Sequence, residues 1–290
     1  MPNLRDIKRR ITSVRKTQQI TSAMRMVAAA KLRRAQESIV AARPYAERMR
    51  STLGEVAASQ TGTVHPLLET REVVKTVEFV VVTSDRGLAG AFNANVLKRA
   101  AAQIAEREAS GVAIEITTAG RKAAEHFRRH RPTQFVEGYE LGGWVAYDDA
   151  AKMAHRLIRR FEGGEVDEVV LVYSEFVSTL TQQPVVHALL PLASAEASSE
   201  SELNAPPHEI EPSPEKLLSR LAPTAIEVVL FRALLENQAG EHAARMAAME
   251  NATRNTEELI ERLTLEFNRA RQAAITSELV EIVTGAQALE

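Results

Sequence analysis

Few residues of this 290-residue chain have the types and spacing that chemistry needs. His126 and His130 lie four apart, the spacing at which two imidazoles on one helix can share a metal. Arg128, Arg129 and Arg131 surround them and repel a cation, so the pair reads as a solvated face. The other histidines, His65, His155, His187, His208 and His242, are scattered. There is no cysteine, which excludes disulfides, thiolate zinc sites and cysteine nucleophiles. Asp148-Asp149 is more simply a helix start than a carboxylate pair. No Ser/His/Asp spacing signals a nucleophile. The reading is a chain with no catalytic, cofactor-binding or metal site of its own.

One loop resembles a phosphate cradle. Ser84-Asp85-Arg86-Gly87-Leu88-Ala89-Gly90 follows a β-branched run and opens a helix. It matches neither G-x-G-x-x-G nor G-x-x-x-x-G-K-[ST], and no acidic residue ends a second strand at the distance a ribose needs. Glycines that let a strand–helix turn pack closely are the simpler reading.

Charge is distributed unevenly. Residues 1–60 hold 13 Lys+Arg against 4 Asp+Glu, residues 61–212 hold 15 against 22, and residues 213–290 hold 8 against 12. The total is −2, which gives no support to bulk nucleic-acid binding. The cluster Lys8, Arg9, Arg10, Arg15 and Lys16 lacks interleaved aromatics, and contact with acidic protein surfaces is its better reading. No stretch of 18 apolar residues exists to span a bilayer, and the first residues have no apolar signal-peptide core, so a soluble or peripheral protein that begins in the cytosol is expected.

The elements that must carry these residues follow from periodicity. Steps of three and four visit Leu4, Ile7, Ile11, Val14, Gln18, Thr21, Arg25, Ala28, Leu32, Ala35, Ile39, Ala42, Ala46, Met49, Leu53 and Val56, of which thirteen are apolar. That is a heptad-type helix over 1–60, about 85 Å long at 1.5 Å per residue, bent slightly at Pro44. The three failures are consecutive. Ile20, Met24 and Val27 are expected to carry the apolar face there, shifting the stripe by one residue. Residues 61–72 read as a linker. Strands are expected over 73–83, 112–118, 134–136, 166–177 and 184–190. Helices are expected over 93–108, 119–130 and from a cap at Asp148 to 162. Together they make a doubly wound α/β (Rossmann-like) domain over 73–192. A Ser/Ala/Glu/Pro-rich linker covers 193–212. Residues 213–290 read as a second long helix, interrupted only at Pro223 and Gly240, with a stripe of Leu259, Leu263, Phe267, Ala270 and Ala274 that slips to Ile275, Leu279, Ile282 and Ala286. The economical arrangement is a long antiparallel coiled coil of the N- and C-terminal helices with the α/β domain inserted between them. Such a pair is marginal without a partner around it.

The ends and the loop carry a resemblance. IKRRITSVRKTQQITSAMRMVAAAKLRRAQ (7–36), ARPYAE (42–47), SDRGLAGAFN (84–93), ENQAGEHAARMAAMENATRN (236–255) and RARQAAITSELVEIVTGAQA (269–288) resemble the gamma subunits of F-type ATP synthases, over the whole chain. The resemblance implies a central rotor shaft, not itself catalytic, that couples ion flow across a membrane to ATP synthesis or hydrolysis. It implies as partners a ring of three alpha and three beta subunits around the coil, and the epsilon subunit and the membrane ring of c subunits at the α/β foot. It implies no nucleotide cofactor and a peripheral place on the cytoplasmic face of a bacterial inner membrane. By resemblance Met24 lies near the acidic lever loop of beta. Arg25 is its neighbour at the seam break, so it too is expected to face acidic partner loops. Arg245, Arg271, Gln272 and Thr276 match positions that touch the catch region of beta. The absence of cysteine means that the redox insert of plastid-type members is missing.

Two other readings compete. Filament proteins also pair terminal helices around a middle domain, but they are Asn/Gln/Ser/Thr-rich and arginine-poor. A nucleotide-dependent enzyme built on the α/β domain fails for want of a catalytic constellation.

Overall fold

The computed structural model describes residues 4–58, 65–192 and 213–287. Two long helices, α1 (Leu4–Ala58) and α5 (Pro214–Gln287), flank a layer of five strands and three helices. The layer runs β1 (Thr76–Val82), α2 (Phe92–Ala109), β2 (Ala113–Ala119), α3 (Arg121–His130), β3 (Phe135–Tyr139), α4 (Tyr147–Glu162), β4 (Glu168–Phe176) and β5 (Gln182–Leu190). Pro44 and Pro223 lie inside their helices, and α5 passes through Gly240 without a break, so the expected interruptions of the second helix do not occur. By compactness the chain divides into residues 30–244 and a second unit of residues 1–29 with 245–290.

In the larger unit the strands lie in the order β3-β2-β1-β4-β5. The first four are parallel, and β5 returns antiparallel to β4. β-Branched runs such as Thr76–Val82 suit strands covered on both faces, and six of the seven β1 residues are buried. Val77, Phe79 and Val81 meet Val96 and Ile104 of α2 and Phe127 of α3 on one face. Val80 and Val82 belong to the opposite core, with Met153, Leu157 and Phe161 of α4, Leu53 and Val56 of α1, and Leu218, Ile226 and Leu234 of α5. The sheet is thus doubly wound, and both terminal helices help to build one of its cores.

Several local expectations are corrected. The span 61–72 is not all linker: Pro66–Leu68 forms a 3-10 turn with Leu67 fully buried, and the strand starts at Thr76 rather than at 73. Residues 61–64 and the 193–212 linker lie outside the described residues. Ala119 ends β2 rather than opening α3, because Gly120 at φ 102° turns the chain first. A β-carbon at Gly120 would sit 2.3 Å from the Thr83 carbonyl oxygen. β3 extends to Tyr139 instead of stopping at Val136. Asp148 does not cap α4: the cap position is Ala146, whose N–H donates to Asp149 Oδ2 at 3.1 Å.

One face of the sheet buries charge. Glu78 is fully buried; it accepts from Thr117 Oγ1 at 2.6 Å, Arg156 Nη1 at 2.8 Å and Arg160 Nη1 at 2.7 Å. Arg156 and Arg160 reach further carboxylates on Glu137, Glu115 and Glu165. Such a network is tolerable only when its members are paired.

In the smaller unit α1 and α5 run antiparallel. Ile7 and Ile11 pack with Leu263, flanked by Val14, Leu259, Phe267 and Ala270. Nearer the middle the seam is polar: Thr253 Oγ1 donates to Thr21 Oγ1 at 2.8 Å, and Thr21 Oγ1 donates to the Gln18 carbonyl at 3.0 Å. The expected one-residue slip is therefore overturned. Thr21 is buried and Gln18 and Arg25 are half-buried, while Ile20 and Val27 are 60 % and 57 % exposed. The three-and-four spacing continues through the polar residues because a hydroxyl pair satisfies itself there. The apolar residues between them face outward.

Candidate functional site

At the level of Thr21 the polar seam gives the paired helices a locally reversed polarity: hydroxyls inside, large apolar side chains outside. Ile20 and Val27, seven residues apart on one face, are exposed together with Met26 (61 %). Toward the N-terminus the surface turns basic, and Arg5, Lys8, Arg9, Thr12, Ser13 and Lys16 line a shallow hollow of about 480 Å³. Met24 is half-buried at the same level. Arg25 is also half-buried, with Nη1 3.9 Å from Glu250 Oε1, so a carboxylate of the chain itself already stands beside it. At this distance and exposure such a pair contributes little to stability.

Among the other residues expected at the interface, Arg245 is buried at 9 % exposure. It lies within two turns of Glu250 on α5, so it shares the level of Met24 and Arg25. Arg271, Gln272 and Thr276 are exposed. They stand roughly 30 Å further along α5, from 1.5 Å of rise per residue. The six residues therefore form two clusters rather than one. Thr276 Oγ1 donates to the Gln272 carbonyl at 2.9 Å, which leaves the hydroxyl's acceptor side outward.

Beyond Ala270, α5 runs past the level of the first described residue of α1. There Ile275, Leu279, Val280, Ile282 and Val283 are 49–68 % exposed. The slipped stripe of Ile275, Leu279 and Ile282 is thus an uncovered apolar end in the chain alone. Sequence reasoning missed Met26 altogether and placed Ile20 and Val27 in the seam. The signal that places the latter two outward is the unbroken spacing of Gln18, Thr21 and Arg25.

The Gly87–Gly90 loop has another occupation. Its neck is closed by Ser84 N donating to Asn93 Oδ1 at 3.0 Å and Asn93 Nδ2 donating to Ser84 Oγ at 2.8 Å. Leu88 (φ 62°) and Gly90 (φ 56°) make the turn. Strand order reverses between β1 and β4, and in open α/β sheets ligands bind at the strand ends beside such a reversal. Here α5 lies against that end. Asn237 Nδ2 donates to the Thr83 carbonyl at 3.2 Å, and Gly240 lies against Phe92. His126 and His130 are stacked 4.4 Å apart, with His130 Nδ1 2.8 Å from the His126 carbonyl. Burial first, then His130 and Arg131, lower the His126 pKa. Among the described residues no group of three or more His, Cys, Asp or Glu is arranged to hold a metal, and no helix is long and apolar enough to cross a membrane.

Comparison with known proteins decides the family. The family model described as ATP synthase matches residues 3–289. The ATP synthase gamma chain of Pelotomaculum thermopropionicum is 48 % identical over 290 residues, and that of Desulforamulus reducens 50 % over 292, each covering both chains fully. The chain belongs to the ATP synthase gamma-chain family. Among solved structures, the central stalk/c-ring of Tetrahymena thermophila mitochondrial ATP synthase is 26 % identical with TM-score 0.60, over 80 % of this chain and 99 % of that one. A chain of the Euglena gracilis mitochondrial ATP synthase (OSCP/F1/c-ring) shares the fold at TM-score 0.69 and 19 % identity, over 99 % of this chain and 94 % of that one. This gamma-chain architecture of long terminal helices around a mixed α/β sheet is thus shared with known rotor subunits.

Proposed function

We propose that the chain is the central rotor shaft of a rotary ATP synthase and is itself non-catalytic. In this reading the paired terminal helices (1–60 and 213–290) stand inside a ring of alpha and beta subunits. The α/β layer (73–192) forms the foot on the epsilon subunit and the c-ring, peripheral to the cytoplasmic face of the membrane. The observation that carries the reading is the locally reversed polarity of the helix pair together with the bare apolar end of α5. Those surfaces are unburied in the chain alone and suit an enclosing sleeve.

Coupling requires that the shaft interact differently with the open and closed forms of each catalytic subunit, since equal affinity shifts nothing. A shaft with one apolar, basic-flanked face supplies such a difference as it turns. Met24, Arg25 and Arg245 are proposed to act at the middle level. Arg271, Gln272 and Thr276 are proposed to act at the upper one, where residues four and five apart form a single patch. The filament reading has no support from the family.

Two measurements test the function. Purification of the tagged chain should bring alpha and beta subunits with it; recovery of the chain alone, or of its own polymers, would overturn the reading. In assembled complexes, Arg271→Ala or Gln272→Ala should each lower ATP synthesis, by up to about 2–5 kcal/mol of contact energy for the charged residue. The double change should be less than additive. Unaltered synthesis in the double variant would remove these residues from the site.

A further inference from the structure

In the rotor reading a shaft is useful only if it turns with its foot. Torque between the long helices and the layer crosses the non-covalent contacts between them. Most of those between the long helices and the layer are apolar and non-directional. Glu227 of α5 accepts from the Tyr147 hydroxyl of α4 and lies 3.1 Å from His155 Nε2, at the exposed edge of that contact. Two others on α5, Asn237 and Gly240, lie deeper.

Asn237 is 1 % exposed between Glu236 and Gln238, which are buried too, a costly place for an amide unless it is bonded. Its Nδ2 donates to the Thr83 carbonyl at 3.2 Å. Thr83 is itself fixed on two sides: its N–H donates to the Ala119 carbonyl at 2.8 Å, and its Oγ1 accepts from the Ala123 N–H at 2.9 Å. The amide thus grips a point braced by β2 and α3. Three residues on, Gly240 lets the helix backbone lie against the Phe92 ring, and an added β-carbon would stand 2.9 Å from Phe92 Cε2 and 3.3 Å from Gln182 Cγ. Residues three apart share a helix face. Both contacts engage the two ends of the loop that joins β1 to α2, the loop whose neck the Ser84–Asn93 pair closes.

We propose that Asn237 and Gly240 are positioning residues that key α5 into the α/β layer, so that rotation of the foot is passed to the shaft without slack. This role rests on the rotor reading. The hydrogen bond is the directional element, and the ring-on-backbone notch is the steric one.

The test uses the complete ATP synthase complex in vesicles. Asn237→Leu keeps the volume and removes the amide donor. Gly240→Ala places a methyl against Phe92, and Phe92→Leu should make room for it. In each single variant ATP hydrolysis should stay within about twofold while ions pumped per ATP fall about threefold, the scale of one hydrogen bond's net contribution. The rotor's torsional stiffness, read from angular fluctuations of a bead on the c-ring, should fall with them. Adding Phe92→Leu to Gly240→Ala should restore both. Unchanged stoichiometry and stiffness in both single variants would overturn the proposal. So would a loss of hydrolysis and pumping in parallel that Phe92→Leu does not repair. If the unsubstituted chain failed to assemble with the other subunits, the rotor reading would fall first and this role with it.

Discussion

The α/β layer and the helix pair both bury polar groups, on very different terms. In the layer, Glu78 is enclosed by two guanidinium groups and a hydroxyl, and apolar cores cover the sheet on both faces. In the helix pair one hydroxyl contact, Thr21 with Thr253, interrupts an otherwise apolar seam, and the nearest ion pair is 3.9 Å long and open to water. The layer completes its own interactions. The helix pair buries Ile7, Ile11 and Leu263 but leaves Ile20, Met26, Val27 and the apolar end of α5 outside.

The strongest way to break this contrast is to remove Glu78. Glu78→Ala leaves Arg156 and Arg160 buried without their shared carboxylate and should cost the layer about 3–5 kcal/mol. Urea unfolding followed by the fluorescence of Trp144, the single tryptophan, reports on this layer, in which Arg34 lies 4.3 Å over the ring. A change below about 1 kcal/mol, the range of exposed pairs, would show the network to be ornamental.

Asp167 offers a smaller and pH-dependent effect. Burial pushes its pKa up, but the N–H groups of Thr76 and Lys75, at 2.9 and 2.8 Å, and the Arg71 guanidinium outweigh that and hold it below the ordinary carboxylate range. A depressed folded pKa adds stability that is fully present above the unfolded value, near 3.9, and is lost as pH falls through the folded one. Asp167→Asn should cost about 1.5–3 kcal/mol at neutral pH, and less as the pH is lowered below 4. An equal loss at pH 7 and pH 3 would contradict the assignment.

In the helix pair, Thr21→Val should cost no more than about 1 kcal/mol, because the Thr253 hydroxyl keeps the Met249 carbonyl at 2.8 Å as its acceptor, and adding Thr253→Val should change it little further. A thermal melt of the three variants measures this. Smallest in stability terms is the free end of α5: Ile282→Ser with Val283→Ser should shift unfolding by less than about 0.5 kcal/mol. The same change should reduce aggregation of the isolated chain, as light scattering would show.

Much of this was legible from residue order. Strand–helix alternation located the layer, because β-branched runs and helical spacing differ in period. Element ends were less legible, since Gly120 and Ala146 act through φ angles and caps that hydrophobicity does not record. The seam failed at Gln18–Arg25 for a definite reason: a threonine that meets another threonine 232 positions away looks, locally, like a break. The keyed contacts of Asn237 and Gly240 were invisible for the same cause, since their partners lie in the β1–α2 loop. Of the residues proposed for the interface, the level of each along its helix could be placed, but not that Arg245 is buried and Arg271 bare.

The Thr21–Thr253 contact also dictates a schedule. During synthesis the basic helix leaves the ribosome first, and the residue that must meet Thr21 follows 232 positions later. At roughly 5–20 residues per second that is an interval of about 10–50 s. Through that interval the α/β layer has its strands in hand, but Ile7, Ile11 and Val14 have no helix to lie against. A nascent chain of this design has its most exposed apolar stripe at its oldest end, so chaperone capture should concentrate on the first 30 residues and end only when the last helix emerges.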